Sequence, residues 1–130
     1  MDARVSVVTL GVEDLARALT FYEEGLGLPV RRHGSVTYLA LPGTWIALHP
    51  RAALAGYLGA RGEVSRGTCL AWNVATEAEV REVLEAAEGA GAVLRKPALP
   101  STWGGYAGVF EDPDGHLWEV VFNPAPPMGR

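Results

Sequence analysis

A chain of 130 residues is near the commonest size for one domain and long enough to bury a core. Its apolar fraction of 48% and charged fraction of 20% are those of a globular protein rather than a disordered or membrane-embedded one. Net charge is −4 and no run of Lys or Arg is long enough to track a phosphate backbone, so nucleic acid is not an expected partner.

The opening "MDARVSVVTLGVEDL" lacks a basic region followed by an apolar run, and no segment reaches the roughly 20 apolar residues of a membrane span. A single cysteine, Cys69, excludes an intramolecular disulfide and fits a reducing compartment. A soluble, cytoplasmic single domain is expected, with no membrane partner.

"VSVVTLGV" is rich in β-branched residues and reads as a strand ending near Gly11. "EDLARALTFYEEGLG" places Leu15, Ala18, Leu19, Tyr22 and Leu26 at helical spacing, with Asp14 at the start and Gly25 and Gly27 as stops. Three strands follow, "PVRRH", "VTYLAL" and "TWIALHP", punctuated by Gly34 and by Pro42-Gly43. "RAALAGYLGARGEVSRG" is a connector with a helical turn at its start. The order then recurs. "TCLAWNVA" reads as a strand, and "TEAEVREVLEAAEGAGA" as a helix capped by Thr76 and Glu79, with Val80, Val83, Leu84 and Ala87 as its stripe. "VLRKPAL", "GYAGVFE" and "HLWEVVF" close the pattern, the last two joined by "DPDG", whose Asp, Pro113 and Gly suit a tight reversal.

The chain therefore reads βαβββ twice: an α+β domain over 1–130, with module 1 at about 4–50, a connector at 51–66, module 2 at 67–123 and a tail at 124–130. Each sheet has one helix for two faces. Two such sheets curling around a shared cavity would make a ligand site.

"VTLGVEDLARALTFYEEGLGL" and "GGYAGVFEDPDGHLWEVVFNP" together resemble the vicinal oxygen chelate superfamily, which holds glyoxalases, bleomycin-resistance proteins and extradiol dioxygenases. The resemblance implies a metal site with one ligand from each of the first, fourth, fifth and eighth strands. The corresponding residues are Val7, Ala47, Cys69 (or Thr68) and Glu119, and only Glu119 is a usual ligand type. No metal or other cofactor is expected on this reading. A rearranged set of His49, Cys69 and Glu119 is the alternative, although His49 beside Pro50 should lie at the rim. His116 and His33 read as a turn neighbour and a loop residue, and Cys69 as a small buried side chain.

Aromatic rings suit a cavity that holds flat or apolar ligands. Trp45 should share the face of Ala47, and Trp103 and Tyr106 should stand at the pocket mouth in "STWGGYAG". Trp72 should face away from Cys69 and Ala71, and Trp118 away from Glu119, toward a helix. The expected ligand-binding set is Trp45, His49, Cys69, Trp103, Tyr106 and Glu119, with Glu119 the catalytic candidate.

Three functions are compatible with these residues. One is metal-free binding of a small aromatic or amphipathic molecule. The second is a glyoxalase-like lyase or isomerase, or a ring-cleaving dioxygenase, using zinc, nickel, iron or manganese. The third is metal-free acid–base catalysis by Glu119. The resemblance also implies a homodimer.

Overall fold

The computed structural model describes residues 3, 5, 7–34, 36–58, 69–101, 104–122 and 124. The chain divides into two compact units, Met1–Arg66 and Gly67–Arg130.

In the first unit, β1 (Val7–Val12) leads into α1 (Leu15–Leu19), which continues as a π-helical segment, Thr20–Gly25. Then come β2 (Val30–His33), β3 (Val36–Leu39), β4 (Trp45–Pro50) and a helix of eight residues, α2 (Arg51–Leu58). The sheet order is β1-β4-β3-β2, with β1 parallel to β4 and the other pairs antiparallel. The second unit repeats this order: β5 (Cys69–Val74), α3 (Glu77–Gly89), β6 (Val93–Pro100), β7 (Tyr106–Glu111) and β8 (Leu117–Phe122) form the sheet β5-β8-β7-β6, with β5 parallel to β8. The duplication legible in the element order is thus a duplication of topology.

Local chemistry explains the element ends. The Asp14 carboxylate accepts from the Arg17 N–H at 3.1 Å and opens α1. The Thr76 hydroxyl accepts from the Glu79 N–H at 3.1 Å, and the Glu79 carboxylate reaches back to the Ala75 N–H at 3.3 Å. At the β7–β8 turn Asp112 is buried, and its Oδ1 accepts from the N–H groups of Asp114 (2.9 Å) and His116 (2.8 Å). Gly115 takes a φ of 88° there, a conformation that costs a side-chain-bearing residue energy. "DPDG" is a structural turn.

The first helix departs from its expected course. Past Leu19 the backbone widens, and the Leu26 N–H donates to the Phe21 carbonyl five residues back at 3.0 Å. Ala18, Phe21 and Tyr22 are buried, with Phe21 and Tyr22 edge-to-face at 4.8 Å, while Leu15, Leu19 and Leu26 are only half-buried. Phe21, three residues after Ala18 and outside the expected stripe, is a core residue. His33, read as a loop residue, is the exposed last residue of β2 and pairs with Val36.

In each unit one sheet face holds the core. In the first, Leu10, Val12, Thr37, Leu39, Ile46 and Leu48 share a face through the register and are all buried. In the second, Val74, Phe110, Trp118 and Val120 pack with Val80, Leu84 and Ala87 of α3. Trp118 stacks on Phe110 at 5.9 Å, on the helix side expected of it, and meets edge-on at 6.1 Å Trp72, which faces away from Cys69 and Ala71. Gly108 lies at the centre of this layer: a Cβ there would collide with Leu84 and stand 3.0 Å from the Lys96 carbonyl.

Gly108→Ala should therefore cost about 1–3 kcal/mol, the usual range for overpacking a core. Denaturant unfolding monitored by tryptophan fluorescence measures it. An unchanged midpoint would show that Leu84 can move aside freely.

Candidate functional site

A β-strand places alternate side chains on opposite faces, so each core face leaves a second face turned away from the helix. In the second unit the register puts Cys69, Ala71 and Asn73 of β5 on this far face, with Leu117, Glu119 and Val121 of β8 and Ala107, Val109 and Glu111 of β7. A cleft of about 280 Å³ opens on this face and is lined by Lys96, Pro97, Leu99, Ser101, Val109 and Glu119, among others.

Glu119 is half-buried, and among the described residues it makes no hydrogen bond or ion pair. The other acid of this face differs. Glu111 Oε1 accepts from Arg95 Nε at 2.9 Å and stands 2.8 Å from Arg95 Nη2, so its charge is already met.

Lys96 reaches this face through an irregularity in β6. Leu94 pairs with Phe110 on the helix side, and Lys96 pairs with Val109, the next residue back along β7. Two residues of β6 thus advance against one of β7, a bulge that turns Lys96 to the side of Val109. A second shift between Lys96 and Leu99 brings Leu99 opposite Ala107. Lys96, Val109 and Glu119 consequently stand in register on three neighbouring strands. Lys96 is exposed and, among the described residues, makes no ion pair.

Tyr106 is not at a pocket mouth. It opens β7 on the same face as Gly108 and Phe110, which is the face of α3 and opposite to Glu119. Its hydroxyl accepts from Arg81 Nη1 at 3.2 Å, and the Arg81 guanidinium lies 5.7 Å from its ring centre. This hydrogen bond raises the Arg81 pKa further above its ordinary value. The reason for the displacement is parity. Ala107 and Val109, one residue out of phase with Tyr106, are the β7 residues beside Glu119.

Cys69 also departs from expectation. It is exposed rather than buried, its Sγ 3.6 Å from the Leu70 carbonyl, because it begins β5 on the far face beside Leu117. Trp103 and Thr68 lie outside the described residues.

In the first unit the far face carries Val7 and Thr9 of β1, Trp45, Ala47 and His49 of β4, Tyr38 of β3 and Arg31 of β2. Trp45 does share the face of Ala47, and its ring meets Tyr38 at 5.4 Å with a 57° tilt. His49 is half-buried, with Nδ1 3.1 Å from the Pro50 carbonyl. The chain-proximal end of this face is covered by α2, where Leu54 is buried against Gly11 and Arg51 Nη2 donates to the Gly11 carbonyl at 3.4 Å.

The four positions implied as metal ligands can be tested by their donor chemistry. Val7 and Ala47 face the expected way, but a valine and an alanine hold no lone pair. Cys69 sits on the strand beside Glu119 and is offset from it by two residues along the sheet. Within either unit, among the described residues, no three His, Cys, Asp or Glu side chains gather as ligands. His49 belongs to one unit and Cys69 and Glu119 to the other. These residues do not fit the family's four-ligand ion.

Lys96, Leu99, Ala107 and Val109 were missed by sequence reasoning, as were Tyr38 and Arg31. Val109 and Ala107 were recoverable from alternation once β7 and β8 were paired. Lys96 was not, since a bulge leaves no composition signal.

Among the described residues no helix is long and apolar enough to cross a membrane. The family model described as Glyoxalase/Bleomycin resistance protein/Dioxygenase superfamily matches residues 4–120. No match was found among curated proteins. Among solved structures, a glyoxalase-related enzyme from Fulvimarina pelagi is 33% identical, covering 99% of this chain and 96% of its own, with a TM-score of 0.86. A superfamily member from Sphaerobacter thermophilus is 25% identical over 95% of this chain and 99% of its own, with a TM-score of 0.70. A family enzyme from Burkholderia phytofirmans, at 22% identity over 92% and 98%, shares the fold with a TM-score of 0.79.

The exposed Cys69 thiol should titrate with Ellman's reagent in the native protein, at one thiol per chain and without denaturant. A thiol that reacts only after unfolding would restore the buried reading.

Proposed function

The chain belongs to the Glyoxalase/Bleomycin resistance protein/Dioxygenase superfamily, and from that premise we propose that it binds a small aromatic or amphipathic molecule without a metal ion. The observation that carries this reading is Glu119. It is a half-buried carboxylate with no partner among the described residues, at the wall of a cleft whose other sides include Val109, Leu99, Ala107 and Pro97.

A carboxylate drawn partly out of water loses hydration that only a donor can replace. Among the described residues no donor reaches it, and a ligand that carries one would supply that hydrogen bond. A cleft of about 280 Å³ is just below the ~300 Å³ where pockets for drug-sized molecules begin. That size suits a small molecule and not a folded partner. Within the first unit, the far face carries its own ring surface, the Tyr38–Trp45 pair, of the kind flat ligands stack on. The ligand-binding set is accordingly Lys96, Leu99, Val109 and Glu119, with Cys69 on the same face of the second unit.

Valine and alanine at two of the four family ligand positions support binding without an ion. The protein is placed in the cytoplasm, where an exposed lone thiol stays reduced, and is assigned a homodimeric state in keeping with small members of its family. Light scattering at micromolar concentration tests the dimer, and a monomer mass would remove it.

Protein purified without chelator should contain less than about one tenth of an equivalent of zinc, nickel, iron or manganese by elemental analysis. A stoichiometric divalent ion would overturn the reading in favour of a metal-dependent lyase, isomerase or dioxygenase. Metal-free turnover that disappears in Glu119→Gln would replace binding by acid–base catalysis.

A further inference from the structure

The far face of the second unit carries two charges of opposite sign, Glu119 and Lys96, that have no partner among the described residues. We propose that its cleft recognises a zwitterionic ligand, an ammonium at Glu119 and an oxyanion at Lys96, whose apolar body lies over Val109. The proposal rests on the small-molecule reading above and names the chemical class that this cleft selects.

Register carries the geometry. Lys96, Val109 and Glu119 occupy the same level of β6, β7 and β8, so two strand spacings, about 10 Å of backbone, separate the charged residues. The Val109 side chain is the floor between them, and Pro97, Leu99 and Ala107 extend it as apolar wall. All of these residues line one cleft, and among the described residues no ion pair closes it from within.

Charge bookkeeping on the same face separates the sites from ordinary surface charge. Glu111 is neutralised by Arg95 through two contacts under 3 Å. Glu119 lies on β8, where its neighbours across the sheet are Ala71 of β5 and Val109 of β7, neither of which can pair a carboxylate. The bulge at Leu94/Lys96 brings Lys96 onto the same face opposite Val109, with the whole of β7 between the ammonium and the Glu119 carboxylate. A ligand with both charges satisfies the two groups at once. One with a single charge leaves the other end facing an apolar floor.

The two ends differ in strength. Glu119 is half-buried and Lys96 exposed. An ion pair made in water is worth little, whereas a charge-assisted hydrogen bond in a partly dry cleft is worth roughly twice a neutral one. Recognition of the ammonium should dominate and that of the oxyanion should sharpen it.

The probe is 4-(aminomethyl)benzoate, whose ring spaces an ammonium from a carboxylate, titrated beside benzylamine, 4-methylbenzoate and 4-methylbenzyl alcohol. Amide shifts in two-dimensional NMR report both affinity and place. The zwitterion should bind at least about tenfold more tightly than 4-methylbenzoate and about threefold more tightly than benzylamine, moving the Ala107 and Val109 amides. Glu119→Gln should erase the first preference and Lys96→Gln the second, each keeping its native spectrum. Benzylamine or 4-methylbenzoate binding as tightly as the zwitterion would overturn the proposal while leaving small-molecule binding in place, as would equal binding by the alcohol. Shifts confined to other parts of the protein would also overturn it. No binding by any of the four would overturn the zwitterion proposal and count against the small-molecule reading as well.

Discussion

Each βαβββ unit has a sheet with two faces and a single long helical element to cover one of them. Strand alternation turns that shortage into a division of labour, because a side chain committed to the helix side removes its neighbours from it. Trp118 and Phe110 stack under α3, and Glu119 and Val109, one residue away on each strand, must then face the other direction. The acid is on the far face because the tryptophan is in the core. No further interaction is needed to aim it.

The same constraint makes the irregular places informative. A regular β6 would carry Lys96 on the face of Leu94, toward the helix. The bulge reverses its direction, and Pro97 and Pro100 are tolerated because β6 is an edge strand whose outer N–H groups need no partner. In the first unit Phe21 and Tyr22 enter the core together at the start of a π-helical segment, Thr20–Gly25. Gly108 marks the closest approach of α3 to its sheet, where even a methyl group would meet Leu84. These departures from regular geometry decide which polar groups are left over for a ligand.

Much of this was legible in the residues. The twofold βαβββ order followed from period-two and helical patterns, and "DPDG" announced its turn through Asp112 and Gly115. Val7 and Ala47 could be read as lacking donor atoms without any coordinates. Tyr106 was misplaced for a physical reason: a residue at the boundary of a glycine-rich segment has no defined parity until its strand pairs. Lys96 was invisible, since the register shift that turns it lies in the pairing of β6 with β7 and not in either strand alone. Cys69 was assigned by the habits of lone cysteines, and its face was set instead by the pairing of β5 with β8.

The sequence by itself determined the element order, the duplicated topology, the turn chemistry and the missing donors, because each of these depends on neighbours a few residues apart or on side-chain identity alone. Only the tertiary structure decided which charges are left without a partner among the described residues. Arg95 reaches Glu111 and leaves Glu119 and Lys96 on either side of Val109. That outcome depends on how strands distant in sequence align, and alignment is fixed by packing across the whole sheet.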